Sequence, residues 1–546
     1  MNPMAPRPRV PTRRAALLRG AAILVGGVLL TPGVTPAKRL DGYALSYCSV
    51  AFYNNDTSQG APDSSSIAHD ARTGGRSRAE RSAPDSLTRV PGSPIGPDGP
   101  ASADRRTRSI PWPDGTEILS FENLEGIILV SARSSLASGP DTSGAWVLDT
   151  GAGYLVMDAG LARRSGVSAS DDSIGSPDPE PIHGRGAGAG RPRVPEGVGL
   201  ALRPLARFVL GSLERDQVSP LLTFDARMVR DITDQPVLGL VGEQIYGDRA
   251  LWIDYQNEVL ALIPSAAPGA TQDPIAHSRA TLAGVLGPSA MGTPFRIAGD
   301  GKVLVAARVA DASPARRSGP LTLVVDTGSS KTVLFQRSLA GVVRGHERWR
   351  SIRGLSAPTL AGPAAARVAR VPALMLEPSG EPRGSARGAP SSAGAPRLER
   401  TEVVIVDSPL QAQLSQATRC TIHGLLGYSF LRHFRVVVDY PGRVLWLDPV
   451  SGAGDERPHE YSHVGIQLER RDGAARVVAV AVGSPAERAG VGVEDEVVAV
   501  DGREVAAGGL IEASRRLEGP PGTVVTLTLR RSGATRELRL RRVRLL

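Results

Sequence analysis

One five-residue string occurs twice in this chain. Residues 147–151 read Val-Leu-Asp-Thr-Gly and residues 324–328 read Val-Val-Asp-Thr-Gly, each at the end of an apolar run. Asp is depleted in strands and costly to bury, so a buried strand that ends in Asp must have its charge compensated or shared. Two such ends in one chain point to mutual compensation. A second pair of strings follows at similar distance: Val-Leu-Gly-Leu-Val-Gly at 237–242 and Ile-His-Gly-Leu-Leu-Gly at 422–427. The order continues with Trp252-Ile253-Asp254-Tyr255 against Val437-Val438-Asp439-Tyr440, then Leu262-Ile263-Pro264 against Leu447-Asp448-Pro449. Shared order and spacing mark an internal duplication. The sequence predicts two copies of one β-rich unit, over 116–265 and 289–452, with 266–288 as the linker between them.

The rest of the chain is read around that duplication. Its 546 residues exceed one typical core and leave room for about three domains. With 62 Gly, 44 Pro and only 4% aromatic residues, much of the chain outside the repeats reads as loop or spacer. Residues 38–115 form such a spacer, and 168–190 and 378–397 share its character. The net charge of +9 raises the question of nucleic acid, but the basic residues are nearly all Arg, scattered, and never interleaved with aromatics. No nucleic-acid partner is expected. At the N-terminus, Arg7, Arg9, Arg13, Arg14 and Arg19 precede the apolar stretch Gly20–Leu30 and the small-residue site Thr35-Pro36-Ala37. This is the layout of a secretory signal over 1–37, with an uncleaved anchor as the alternative, and it predicts an exported, periplasmic or envelope-associated protein. Cys48 and Cys420 permit one disulfide without arguing for it.

The paired Asp-Thr-Gly strings, each with a later apolar-apolar-Gly element, resemble the retropepsin-like aspartic proteases. Two units in one chain resemble the pepsin arrangement. The resemblance implies a mainly β fold of two retropepsin-like β-barrel lobes. It names Asp149 and Asp326 as the catalytic pair and implies no cofactor and no metal. The residue types suit that chemistry: two carboxylates a few ångströms apart share one proton, so one can act as base toward water while the other acts as acid toward a carbonyl. Thr150 and Thr327 would hydrogen-bond across the lobes, and Gly151 and Gly328 would let a backbone N–H reach each carboxylate. The lobes differ after the shared string. Ser329 offers Asp326 a hydroxyl where Ala152 offers Asp149 none, which predicts the shared proton on Asp149 and Asp326 as the base. Glu243 in the first lobe stands where the second has Tyr428.

Two further motifs need weighing. Gly184 to Gly190 is glycine-rich but follows an Asp/Pro-rich segment instead of a strand, so it is no phosphate loop; Gly186, Gly188 and Gly190 are candidates for a substrate-covering flap, with a counterpart around Gly354. His459-Glu460-Tyr461-Ser462-His463 matches the HExxH zinc signature, but Pro458 before it and the strand-like Val464–Leu468 after it leave no room for the helix that the motif requires.

The final stretch, 459–546, resembles a PDZ domain of the bacterial protease-associated kind. It carries Val464-Gly465-Ile466, Gly483-Ser484-Pro485-Ala486 and Asp495-Glu496-Val497-Val498-Ala499-Val500-Asp501-Gly502. The resemblance implies an α+β domain in which a peptide adds as a strand beside Val464–Leu468, its C-terminal carboxylate on the amides near Val464, Gly465 and Ile466. Together these readings predict an exported aspartic endopeptidase with a PDZ domain that recruits or regulates peptide or protein substrates. The alternative is a non-catalytic peptide-binding protein with a degenerate cleft beside the PDZ groove.

Overall fold

The structure is a computed structural model. It describes residues 109–135, 141–164, 199–201, 204–233, 235–310, 318–359, 364–377, 395–451 and 458–546. The expected signal segment 1–37, most of the spacer 38–115, the flap candidates Gly186, Gly188 and Gly190, and Cys48 lie outside the described residues.

The fold is mainly β, and its two Asp-Thr-Gly units are threaded alike. In the first, the strand Thr142–Leu148 runs into Asp149; it pairs antiparallel with Ile127–Ser135 and parallel with Val237–Val241. The strand Val156–Asp158 returns on the other side of Val237–Val241 and pairs antiparallel with it. In the second unit, Gly424–Leu426 lies between Leu321–Val325, parallel, and Val333–Phe335, antiparallel. The strand from the later Gly element is thus inserted between the two strands that flank each Asp loop. Insertion brings backbones close: a β-carbon on Gly239 would stand 2.1 Å from the Val156 carbonyl oxygen, and one on Gly424 2.0 Å from that of Val333. Only glycine fits there. The ends of the Asp-bearing strands, Ala145–Leu148 and Leu323–Val325, are buried throughout, which is why they read as unbroken apolar runs.

A six-stranded antiparallel sheet joins the units, in the order Glu117–Ser120, Val259–Pro264, Arg249–Asp254, Phe434–Asp439, Val444–Pro449, Met291–Pro294. Its two central strands are repeat equivalents, and their register places Trp252 opposite Val437, Leu251 opposite Val438 and Ile253 opposite Val436. Residues aligned by the duplication therefore meet at the centre of the sheet, as a pseudo-two-fold axis requires. One face of this sheet joins the core shared by both units, through Leu251, Ile253, Val436 and Val438. The other face carries Trp252 and Trp446 under the segment 266–288. That segment, expected as a linker, contains the helix Pro274–Thr281, capped by Asp273 and docked by Ser278, which accepts from Trp446 Nε1 at 2.8 Å and donates to Asp439.

The C-terminal domain is a sheet in the order Ile466–Arg471, Ala474–Val480, Glu496–Val500, Val524–Arg531, Ala534–Arg541, with the helix Val505–Leu517 against it. It is fastened to the second unit. Gln467 exchanges two hydrogen bonds with the Ser356 backbone, at 2.9 and 3.2 Å, and Val482 N donates to Arg353 O at 3.0 Å. Glu460 pairs with Lys331 and with Arg432. Among the described residues no helix is long and apolar enough to cross a membrane.

Candidate functional site

Asp149 and Asp326 meet where the two units face each other, and both are fully buried. A β-carbon on Gly151 would stand 2.9 Å from the Asp326 carboxyl carbon, and one on Gly328 2.9 Å from that of Asp149. Each glycine thus abuts the carboxyl of the opposite unit. The loops are held by a reciprocal set of four bonds. Thr150 N donates to Thr327 Oγ1 and Thr327 N to Thr150 Oγ1, both at 3.0 Å; the hydroxyls donate onward to Val325 O and Leu148 O, both at 2.9 Å. Within each loop the glycine amide donates to its own aspartate, Gly151 N to Asp149 Oδ1 at 2.7 Å and Gly328 N to Asp326 Oδ1 at 3.0 Å. The second oxygen of each, Oδ2, has no hydrogen-bond partner.

The electrostatics follow from burial. Asp149 is pushed up to about 6, chiefly by loss of solvent, against the Gly151 amide, the Asp326 carboxyl and the Lys302 charge, which pull it down. Asp326 is pushed well above the usual carboxylate range, by burial first and then by the Asp149 charge and the bond between the carboxyls. Both carboxyls are thus lifted together, as expected of a buried pair that shares a proton. The expectation that the proton sits on Asp149 rested on Ser329, whose hydroxyl was to support an ionised Asp326. Ser329 Oγ instead donates to the Lys331 carbonyl at 2.7 Å, because the loop folds back and brings that carbonyl within its reach.

Several residues at the site carry no motif. Lys302 is buried, paired with Asp300 at 2.5 Å, and its charge acts on both aspartates. It sits on a turn of the second unit that reaches the first: a β-carbon on Gly153 would lie 1.6 Å from the Asp300 carbonyl oxygen. Glu243 borders the same turn and is lifted to about 7, chiefly by burial. Tyr246 donates its hydroxyl to the Asp149 carbonyl at 3.1 Å. One signal for Lys302 was available: lysine occurs only three times in an Arg-rich chain, at Lys38, Lys302 and Lys331.

The other expected sites are placed apart from the pair. The HExxH string runs through a turn into the short strand Ser462–His463, so its imidazoles do not share a helical face, and Glu460 is committed to Lys331 and Arg432. Gly354 lies in the strand Ser351–Ala357 and abuts Val480 and Val482 of the C-terminal domain. Val464, Gly465 and Ile466 open the edge strand Ile466–Arg471; Val464 O and Gly465 O already accept from Ala486 N and Ala481 N. A cavity of about 100 Å³ adjoins this strand, walled by Ile466, Leu468 and Leu517 on one side and Ile352, Leu355 and Lys331 on the other.

Comparison with known proteins identifies the C-terminal domain. A family model described as PDZ domain matches residues 476–531. The Carboxy-terminal-processing protease of Bartonella bacilliformis is 31% identical over 112 residues, which cover 19% of this chain and 26% of that one. The Carboxy-terminal processing protease CtpA of Bacillus subtilis is 37% identical over 73 residues, 13% of this chain and 16% of that one. A Probable CtpA-like serine protease of Staphylococcus haemolyticus is 26% identical over 95 residues, 17% and 19% of the two chains. The chain thus spans about a quarter or less of the length of these relatives. Among solved structures, Basic 7S globulin from soybean is 12% identical over 63% of this chain and 97% of that one, at a TM-score of 0.30.

These relatives correct the expected class. The proteases that this chain matches are named carboxy-terminal processing and CtpA-like serine proteases, not aspartic endopeptidases of the retropepsin-like kind. The PDZ domain stands. The residues that the PDZ model matches include neither Asp149 nor Asp326.

Proposed function

We propose that this chain is an exported peptide-processing protein in which the PDZ domain receives a peptide or protein segment and Asp149 and Asp326 form a buried carboxyl pair at the seam of the two β units. Thr150, Gly151, Thr327 and Gly328 hold that pair; Ser329 is left out of it. In fold, we read the two β units as retropepsin-like halves, a statement about chain threading and not about the class of the enzyme. The observation that carries the proposal is the PDZ domain, whose edge strand Ile466–Arg471 borders a cavity walled in part by Ile466, Leu468 and Leu517. The buried pair, gripped by four reciprocal threonine bonds, fixes the two β units against each other. The PDZ domain supplies the segment, since an edge strand such as Ile466–Arg471 accepts a peptide by strand addition.

The test is to follow processing of a peptide library and of a C-terminally labelled protein by the full chain, with and without a competing peptide that ends in a free carboxylate. The expected result is cleavage of the labelled protein that the competing peptide lowers. Cleavage that the peptide leaves unchanged would falsify the receiving role of the PDZ domain, and no cleavage of either substrate would overturn the processing role.

A further inference from the structure

We propose that the helix Arg227–Thr233 of the first unit is the resident occupant of the peptide groove of the PDZ domain, an internal competitor that an incoming segment with an apolar C-terminus must displace. The inference rests on the peptide-receiving role proposed above. The walls of the groove are the edge strand Ile466–Arg471 and the helix Val505–Leu517, and Arg227–Thr233 packs against both. Val229 on that helix belongs to one apolar cluster with Ile466, Leu468, Leu510 and Leu517. A strand-adding peptide needs the same space.

The occupant is built to leave. Seven residues are too few to hold a helix in water without tertiary contacts. It is held to its own unit by Val229, buried in a cluster that includes Val156, Phe224 and Val237, and by Arg230, a third exposed, which pairs with Asp158 at 2.7 Å and donates to the Val237 carbonyl at 3.1 Å. Asp158 also accepts from Ala226 N at the start of the helix, at 3.3 Å. Asp158 ends the strand Val156–Asp158 and Val237 begins the strand Val237–Val241, the two strands threaded beneath Asp149; Asp149 N donates to Val241 O at 3.0 Å. Displacement of the helix therefore pulls on the strands that seat one member of the pair, so occupancy of the groove and the geometry of the site are linked through Arg230. The open cavity beside Ile466, Leu468 and Leu517, with Ile352 and Leu355 opposite, offers apolar walls to an aliphatic side chain and polar ones, Lys331 and Gln467 among them, to the main chain that carries it.

The experiment uses the full chain and a fluorescein-labelled hexapeptide ending in Val with a free carboxylate. Anisotropy gives the affinity, and hydrogen exchange of residues 227–233 reports the helix. Saturating peptide should raise exchange of that segment at least about tenfold. Arg230→Ala should bind the peptide about tenfold more tightly, because affinity is reduced by the fraction of molecules whose groove is closed; Arg230→Lys should fall between the two. If Arg230→Ala fails to fold, exchange in the wild type decides alone. Equal affinities with unchanged or greater protection of 227–233 would overturn the inference and leave the peptide-receiving role intact. Absence of binding to wild type and variants alike would overturn both.

Discussion

Replacing both aspartates by Asn should stabilise the protein at neutral pH and leave its stability in acid nearly unchanged. Asn keeps the size and most of the hydrogen bonding of Asp but cannot ionise. In the wild type, burial lifts Asp149 from an ordinary 3.8 to about 6, and Asp326 is lifted further. The sign follows from proton linkage. An acid whose value is raised by folding binds protons more tightly in the folded state. Its contribution is fully present below the unfolded value and is lost as pH rises through the folded one. For Asp149 the window is 3.8 to about 6, and at about 1.36 kcal/mol per pH unit the loss is on the order of 3 kcal/mol. Asp326 adds to it in the same direction. The measurement is Tm by calorimetry at about pH 3.5 and about pH 8, for the wild type and for Asp149→Asn/Asp326→Asn. With about 2–4 °C per kcal/mol in domains of this size, Asp149 alone accounts for roughly 6–12 °C, so the double variant should melt by at least that much above the wild type at the higher pH and within a few degrees of it at the lower. The same offset at both pH values, or a double variant that melts lower at the higher pH, refutes burial as the force that lifts the pair.

Three further outcomes are expected. Thr150→Val and Thr327→Val each remove two of the four reciprocal bonds and leave a buried amide and carbonyl unmet, so each should cost about 2–4 kcal/mol and the two costs should agree within about 0.5 kcal/mol in denaturant titrations; a large inequality would show that the grip is not symmetric. Ser329→Ala should leave the pH dependence of Tm in place, since its hydroxyl serves the Lys331 carbonyl, whereas Lys302→Met should lift both aspartates further and extend the loss of Tm toward neutral pH by removing the cation that draws them down; the reverse pattern would restore Ser329 as the support of the charge. Glu460→Gln should loosen the PDZ domain from the second unit by weakening the pairs with Lys331 and Arg432, costing about 2–4 kcal/mol, and limited proteolysis near residues 452–457 should accelerate; unchanged cleavage would show that Gln467 and Val482 hold the junction alone.

Much of the architecture was legible because it is written in short local strings. An apolar run that stops at Asp-Thr-Gly encodes a buried strand and a tight loop, and a Gly inside Val-Leu-Gly-Leu-Val or Ile-His-Gly-Leu-Leu encodes a close backbone approach. Both recur in register, so the duplication could be read before any coordinates; that the repeat equivalents Trp252 and Val437 pair across one sheet came only from the structure. The PDZ domain was legible for the same reason: its turn glycines and β-runs are contiguous. The class of the enzyme was not, because family resemblance in the Asp-Thr-Gly strings and the proteases matched by the chain point to different catalytic groups.

The sequence by itself determined which segments become strands, where the chain must come close to itself, and that two carboxyls would be brought to equivalent positions. Periodicity, glycine placement and repetition are local properties, and local sterics enforce them. Only the tertiary structure decided where the Ser329 hydroxyl points, that Lys302 of the second unit acts on Asp149 of the first, and that the helix Arg227–Thr233 packs against the PDZ domain. Each of these depends on groups brought together from distant parts of the chain or on a rotamer chosen among near-equal options. The balance of burial, charge and packing that selects them exists only once the units have closed on one another.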